Sequence, residues 1–162
     1  ETWPRASPSN DGDATSDMER SELKLGDESL DRDHDLLHEL IGRLRDAPPD
    51  GLVPALDALR ASASQHFAAE DENLRAMQDG NAQCHLDEHA NVLKSFDEVR
   101  EVLVGDGHPP EVKQRLVQSL TVQLLEWLPR HVREMDAGVA TWRSRQRFGG
   151  APVQISRHPK RA

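Results

Sequence analysis

The sequence predicts an all-α protein, more specifically an up-down-up-down antiparallel four-helix bundle. Apolar residues recur at steps of three and four in four separate blocks, which is the period of an α-helix with one buried face. Short connections rich in Gly, Pro and Asp separate the blocks, and no alternating strand pattern competes. The 162 residues suit a single domain, and one bundle is the simplest way to bury four apolar faces at once.

The first two helices lie on either side of a break at residues 47–51, which contains two prolines and a glycine. The apolar stripe of the first helix consists of His34, Leu37, Ile41 and Leu44. The stripe of the second consists of Leu56, Leu59, Ala63, His66, Glu70, Leu74 and Met77. We expect the second helix to stop at the turn signal Asp79-Gly80.

The third and fourth helices are separated by residues 105–110, where Gly-Asp-Gly ends one stripe and Pro-Pro opens the next. The third stripe consists of His85, His89, Val92, Phe96, Val99 and Leu103. The fourth consists of Leu116, Leu120, Leu124, Trp127, His131, Met135, Val139 and Trp142. The bundle is therefore expected to span residues 23–146.

The two ends of the chain differ in composition from the bundle. Residues 1–22 are rich in Ser, Asp, Pro and Glu and poor in large apolar groups, so we expect a disordered leader. Residues 147–162 are basic and are interrupted by Gly and Pro, so we expect a flexible tail. The first residue is Glu1 rather than Met, which suggests a processed chain or a domain of a larger protein.

Charge and cysteine content exclude several classes of function. With a net charge of −9, the chain should be repelled by nucleic-acid phosphates and anionic lipid. The single cysteine, Cys84, excludes an intramolecular disulfide and metal sites built on paired cysteines, and favours a reducing, cytoplasmic location. No run approaches the ~18 apolar residues of a membrane span, so we expect no membrane insertion.

Histidines occupy the apolar stripes, where solvated residues would not be placed. Five of the eight lie there: His34, His66, His85, His89 and His131. A buried imidazole needs a partner, and five on four facing stripes favour a shared metal ion over five separate hydrogen bonds. The spacing supports this, since His85 and His89 are four residues apart, as are His66 and Glu70.

By spacing alone, the pair His131 and Asp136 is weaker evidence for a shared metal ion. Five residues separate the two, which is about 140° around an α-helix. Pro129 lies just before them, so a local kink there is one way in which the two groups could be re-aimed. The pattern Glu-x-x-His of carboxylate-rich di-iron bundles is absent, as are His-Glu-x-x-His, a phosphate loop, a nucleophile elbow and any tyrosine.

Four motifs in order resemble the hemerythrin family, and most closely its bacterial members. They are residues 31–37 (DRDHDLL), 66–71 (HFAAED), 85–89 (HLDEH) and 127–136 (WLPRHVREMD), within a similarity that covers about residues 30–142. The resemblance implies that His34 and His66 hold one iron and that His85, His89 and His131 hold the other. It further implies that Glu70 and Asp136 bridge the two.

The same resemblance implies a non-haem di-iron centre with two irons per chain, a bridging oxo or hydroxo group and dioxygen as ligand. One coordination position would stay open, on the iron held by His34 and His66 alone. The oxygen pocket would then be lined by Leu128, Trp127 and Phe67, although ordinary core packing is an alternative role for each.

The chain departs from the family pattern in three places. Leu23 and Leu25 stand where a tryptophan often precedes the first helix, Asp71 stands where a second glutamate is usual, and Pro129 interrupts the last motif. The remaining histidines are expected outside the site: His38 on the surface of the first helix, and His108 and His158 in solvent. Cys84 is expected to have no role in the metal site.

These observations favour reversible dioxygen binding, either in an oxygen carrier or in an oxygen- or redox-sensing domain joined to a signalling domain or partner protein. One alternative is a di-iron enzyme of the peroxidase or nitric-oxide reductase type. That class needs a proton donor near the open position, and the stripes carry no spare acid or tyrosine. Iron storage or detoxification is a further alternative, and it would need more than two irons per chain.

Overall fold

The computed structural model describes residues 20–149 and confirms the all-α four-helix bundle. The long helices are α1 (Glu28–Arg45), α2 (Leu52–Met77), α3 (Ala82–Val104) and α4 (Pro110–His131). Helix α4 continues through a π-helical turn, Val132–Asp136, into α5 (Ala137–Arg147). Each long helix packs against the next in the chain, and α1 also packs against α4, which closes the bundle.

Most of the leader and the tail lie outside the described residues, which end at 20 and 149. The prediction of a disordered leader at residues 1–22 and a flexible tail at 147–162 therefore stays a prediction. No helix within residues 20–149 combines the length and apolar character needed to cross a membrane.

Local sequence signals fix the helix ends. The side chain of Asp27 caps α1 by accepting hydrogen bonds from the backbone N–H groups of Ser29 and Leu30, at 3.1 and 3.2 Å. Helix α2 ends where Gln78 adopts a left-handed conformation, with φ of 53°. Helix α4 begins with Pro110, whose missing N–H costs nothing in a first turn.

The core consists of two apolar clusters with a polar layer between them. The larger cluster is built on leucines of all four long helices, and Leu23, which precedes α1, is fully buried in it. The smaller cluster consists of Leu30, Leu74, Val139 and Ala140. Along α1, His34 lies between Leu30 of the smaller cluster and Leu37 of the larger one, so the histidine layer is closed off by apolar side chains on both sides.

The fourth apolar stripe differs in detail from the prediction. Leu116, Met135 and Trp142 are only half-buried, whereas Val117 and Leu128 are buried. For Met135 and Trp142 the reason is the π turn, which changes the helical register after His131, whereas Leu116 lies before that turn in regular α-helix.

Candidate metal centre

The seven predicted ligands converge in the polar layer of the bundle. Their ligand atoms form two groups, each with all its atoms within 4.8 Å of one another. One group consists of Glu70, His85, His89, His131 and Asp136. The other consists of His34, His66, Glu70 and Asp136. All seven side chains are buried, and the two carboxylates belong to both groups.

Helical spacing explains how two of the four long helices present their ligands. His66 and Glu70 lie one turn apart on α2, and His85 and His89 lie one turn apart on α3, so each pair shares a face. His34 comes from α1, which packs against both α2 and α4. These are the pairs that their sequence spacing predicted.

The π turn brings together His131 and Asp136, the pair whose sequence spacing does not suit a regular α-helix. In a π-helical turn the hydrogen bonds run from residue i to i+5, so a residue five positions on takes the place that the fourth has in an α-helix. Nε2 of His131 consequently lies 3.0 Å from Oδ1 of Asp136. The π turn begins at Val132, three residues after Pro129, and it accounts for the pairing; the suggested kink at Pro129 itself stays a prediction.

Four of the five imidazoles are held from outside through Nδ1. His66 contacts Asp33 at 3.2 Å, His89 contacts Asp71 at 2.7 Å, and His131 contacts Glu88 at 2.8 Å. The ring of His34 contacts the backbone carbonyl oxygen of Leu23 at 3.2 Å. An imidazole that donates its Nδ1 proton outward presents a lone pair at Nε2, here toward the centre.

Sequence reasoning missed the role of these outer carboxylates, although a signal was present. Asp33, Asp71 and Glu88 each directly adjoin a ligand in the sequence, namely His34, Glu70 and His89. A neighbouring residue is turned by about 100° around the helix, which points it toward the adjacent helix. Each of the three therefore holds a histidine of the next helix rather than of its own.

Glu70 is fully buried, and its contacts with the imidazoles are longer than those of Asp136. Neither of its carboxylate oxygens has a hydrogen-bond partner within the described part of the chain. Oε2 lies 3.5 Å from Nε2 of His66 and His89 and 3.8 Å from Nε2 of His85. Burial, together with the adjacent carboxylate of Asp136, raises the pKa of Glu70 to about 10.

Asp136 has the opposite electrostatic character. Burial acts to raise its pKa, but the imidazoles of His131, His34 and His85 outweigh burial and hold the pKa well below its ordinary value. Its oxygens lie 3.0 Å from Nε2 of each of these rings.

The three imidazoles of the larger group crowd one another. Nε2 of His131 lies 3.1 Å from Nε2 of both His85 and His89. Burial and the adjacent His85 and His131 lower the pKa of His89 to about 3, so this ring is neutral at physiological pH. Burial acts to lower the pKa of His131 as well, but Asp136 and Glu88 raise it overall.

This donor set fits transition-metal ions. Neutral imidazole nitrogens and carboxylate oxygens are ligands for iron and related metals, and a buried carboxylate without partners is stabilised by a cation. Two carboxylates, Glu70 and Asp136, are common to both groups. The residues present therefore fit a metal site.

Aromatic side chains cover the histidines on one side. Phe67 stacks on His89 at 4.0 Å between ring centroids, and Trp127 stacks on His131 at 4.3 Å. Trp127 also donates a hydrogen bond to Glu88 at 3.2 Å. Leu128 lies in the larger apolar cluster, as Phe67 does. The assignment of these side chains to an oxygen pocket stays a prediction.

The remaining histidines lie outside both groups. His38 is half-buried on α1, rather than fully on the surface, and His108 is exposed before α4. His158 lies beyond the described residues. Cys84 is exposed.

A four-helix bundle with a buried histidine–carboxylate cluster in its core defines a helical metal-binding protein. The family model of the hemerythrin HHE cation binding domain matches residues 25–142. The chain is 36% identical over 120 residues, 74% of its length, to a bacteriohemerythrin from Ralstonia nicotianae (strain ATCC BAA-1114 / GMI1000), 83% of which is covered. No solved structure matches significantly. The chain belongs to the hemerythrin family, which confirms the resemblance seen in its motifs.

Proposed function

We propose that this protein holds two iron ions per chain and binds dioxygen reversibly at them. The observation that carries the proposal is the pair of ligand groups that share Glu70 and Asp136. Shared carboxylates are expected to bridge two ions, with the oxo or hydroxo group as a further bridge. An iron pair in this place supplies the electrons and the coordination position that reversible dioxygen binding requires.

The two ion positions are unequal. One has three imidazoles, from His85, His89 and His131, whereas the other has only His34 and His66. The position with two imidazoles has one protein ligand fewer, so it is the one expected to accept a small external ligand. Phe67 and Leu128 are buried in the larger apolar cluster, and we expect them to exclude water from the centre.

The placement of the acids favours binding over catalysis. Asp33, Asp71 and Glu88 contact the outer nitrogens of the rings, and no described carboxyl group besides Glu70 and Asp136 joins the inner donor atoms. A peroxidase or nitric-oxide reductase needs a proton donor at the reacting centre. Iron storage would need further sites, whereas the described residues form only these two adjoining groups.

Dioxygen is thus the proposed ligand, and the protein is proposed to be cytoplasmic. A carrier and the sensing domain of a signalling protein would share this site and differ in their partners. The complete reading frame of the gene distinguishes them, because a sensor requires a signalling domain or a partner protein.

The test is the visible absorption spectrum of the iron-loaded, reduced protein through a cycle of argon, air and argon. A band that appears in air and fades under argon supports reversible binding. A direct and permanent change to an oxidised spectrum contradicts it and favours redox sensing or catalysis.

A further inference from the structure

His85 is held differently from the other four imidazoles. Its Nε2 lies 3.0 Å from Asp136, but its Nδ1 has no hydrogen-bond partner among residues 20–149. The other four rings are each fixed at Nδ1 by a carboxylate or a backbone carbonyl. Because an outer hydrogen bond fixes the orientation of a ligand ring, His85 is the ring that is freest to turn.

A solvent-filled cleft lies beside His85. It has a volume of about 390 Å³ and lies where α2 ends, α3 begins and the π turn passes into α5. His85 lines it although the residue is only 4% exposed, so His85 lies at the inner end of the cleft. A divalent ion with six waters needs roughly 180 Å³, since each water takes about 30 Å³ of liquid volume. The cleft is therefore large enough for a hydrated ion.

The charge of the cleft selects for cations. Its lining includes the carboxylates of Asp79 and Glu134, and none of the described residues that line it is Lys or Arg. A cleft lined by charge of one sign raises the local concentration of ions of the opposite sign. Anions are disfavoured there for the same reason.

We infer that ferrous ions enter and leave the centre through this cleft, with His85 as the ligand that turns aside to admit them. The inference rests on the proposed iron centre, and it adds the route and the ligand that opens it. The four anchored imidazoles keep their positions while the ion passes, and the ring of His85 then closes over it.

Gly138 offers a way to plug the cleft. It lines the cleft on α5, and a Cβ added there meets no other atom within 4 Å, so a side chain can start there without a clash at its Cβ. Gly42 is a matched control, because it lies within α1, away from the cleft, and has equally open space at its Cβ position. Both glycines are helical, so substitution by Leu raises helix propensity in both.

The experiment measures two rates without air on the full chain: loading of the metal-free protein with ferrous ion, and loss of iron to a coloured ferrous chelator. The Gly138→Leu variant is expected to slow both several-fold and by the same factor, which leaves the equilibrium affinity unchanged. The Gly42→Leu variant is expected to match the wild type. Rates for Gly138→Leu equal to the wild type, or equal slowing in both variants, would overturn the route.

Two further variants test the inference, one by an expected increase in the exchange rates and the other by an expected decrease in the loading rate. Met77→Ala removes a side chain that lines the cleft and is expected to speed both rates. Glu134→Gln removes a negative charge from the cleft and is expected to slow iron loading at low salt. At high salt the difference from the wild type is expected to disappear, because salt screens the charge. The control, Glu111→Gln at the far end of the bundle, is expected to load at the wild-type rate. Unchanged rates in both cleft variants contradict the route.

The two proposals fail in different ways. If the wild-type protein does not load iron or does not bind dioxygen, the proposed function is wrong, and this is seen before any cleft variant is made. If the wild type loads fully and the cleft variants exchange iron at its rate, only the route is wrong.

Discussion

At the scale of single residues, the centre depends on two carboxylates with contrasting charge states. In the metal-free protein Asp136 is ionised among imidazoles, whereas the raised pKa of Glu70 keeps it protonated at neutral pH. A metal ion must therefore displace a proton from Glu70 before that carboxylate can act as a ligand. Glu70 is for this reason the residue whose substitution best separates metal binding from folding.

Glu70→Gln is expected to abolish the second iron and reduce loading to one iron per chain or less, since an amide does not replace a bridging carboxylate. The stability of the metal-free protein is expected to stay near that of the wild type, because Gln resembles the protonated glutamic acid in shape and charge. Iron analysis and urea unfolding of the metal-free form measure the two effects. Glu72→Gln, on the exposed side of the same helix, is the control, and full loading of Glu70→Gln would refute the bridging role.

Glu88 is expected to act as a positioning residue through His131. Removing the carboxylate that holds a metal-ligating histidine commonly costs about 10–100-fold in metal affinity. Glu88→Gln should accordingly weaken iron binding in a chelator competition without reducing helix content by circular dichroism. Glu98→Gln, exposed on the same helix, should bind as the wild type does, and equal affinity in the two variants would show that Glu88 is only a surface group.

At the scale of the elements, sequence periodicity predicted the four helices and the residue types that face inward. Apolar spacing reports which face is buried, so His34, His66, His85 and His89 were placed correctly from their stripes. The outer acids Asp33 and Glu88 lie off the apolar stripes, so the sequence predicts that they are solvated. Their contacts with histidines become visible only when the position of the neighbouring helix is known.

Sequence periodicity could not predict the π turn, for a different reason. A change from i+4 to i+5 hydrogen bonding leaves residue composition unaltered, so only the awkward spacing of His131 and Asp136 hinted at it. Pro129 drew attention instead, because a proline within a helix is the commoner source of a bend.

Changing the length of the π turn tests its role. Deleting Arg133, which is exposed, should leave an ordinary α-helix with His131 and Asp136 four positions apart on one face, and iron binding should persist. Inserting one Ala after Arg133 should turn Asp136 by about 100° away from the centre and abolish loading. Iron content with circular dichroism measures both, and loss of iron in the deletion variant would contradict this account of the turn.

At the scale of the whole molecule, the metal site joins all four long helices between two apolar clusters. Iron bound to the folded state alone should stabilise the bundle, by about 2.7 kcal/mol at a free concentration 100 times the Kd. For a protein of this size that raises Tm by about 5–10 °C. Calorimetry of loaded and metal-free protein measures the shift. Its absence would mean that the seven side chains do not hold metal in the folded core.

The most direct test of the central claim is an oxygen-electrode measurement on the reduced, iron-loaded protein, with iron determined in the same sample. We expect uptake of one dioxygen for every two irons and its recovery when the oxygen pressure is lowered. Continued consumption of oxygen, or uptake without recovery, would contradict reversible binding at a two-iron centre.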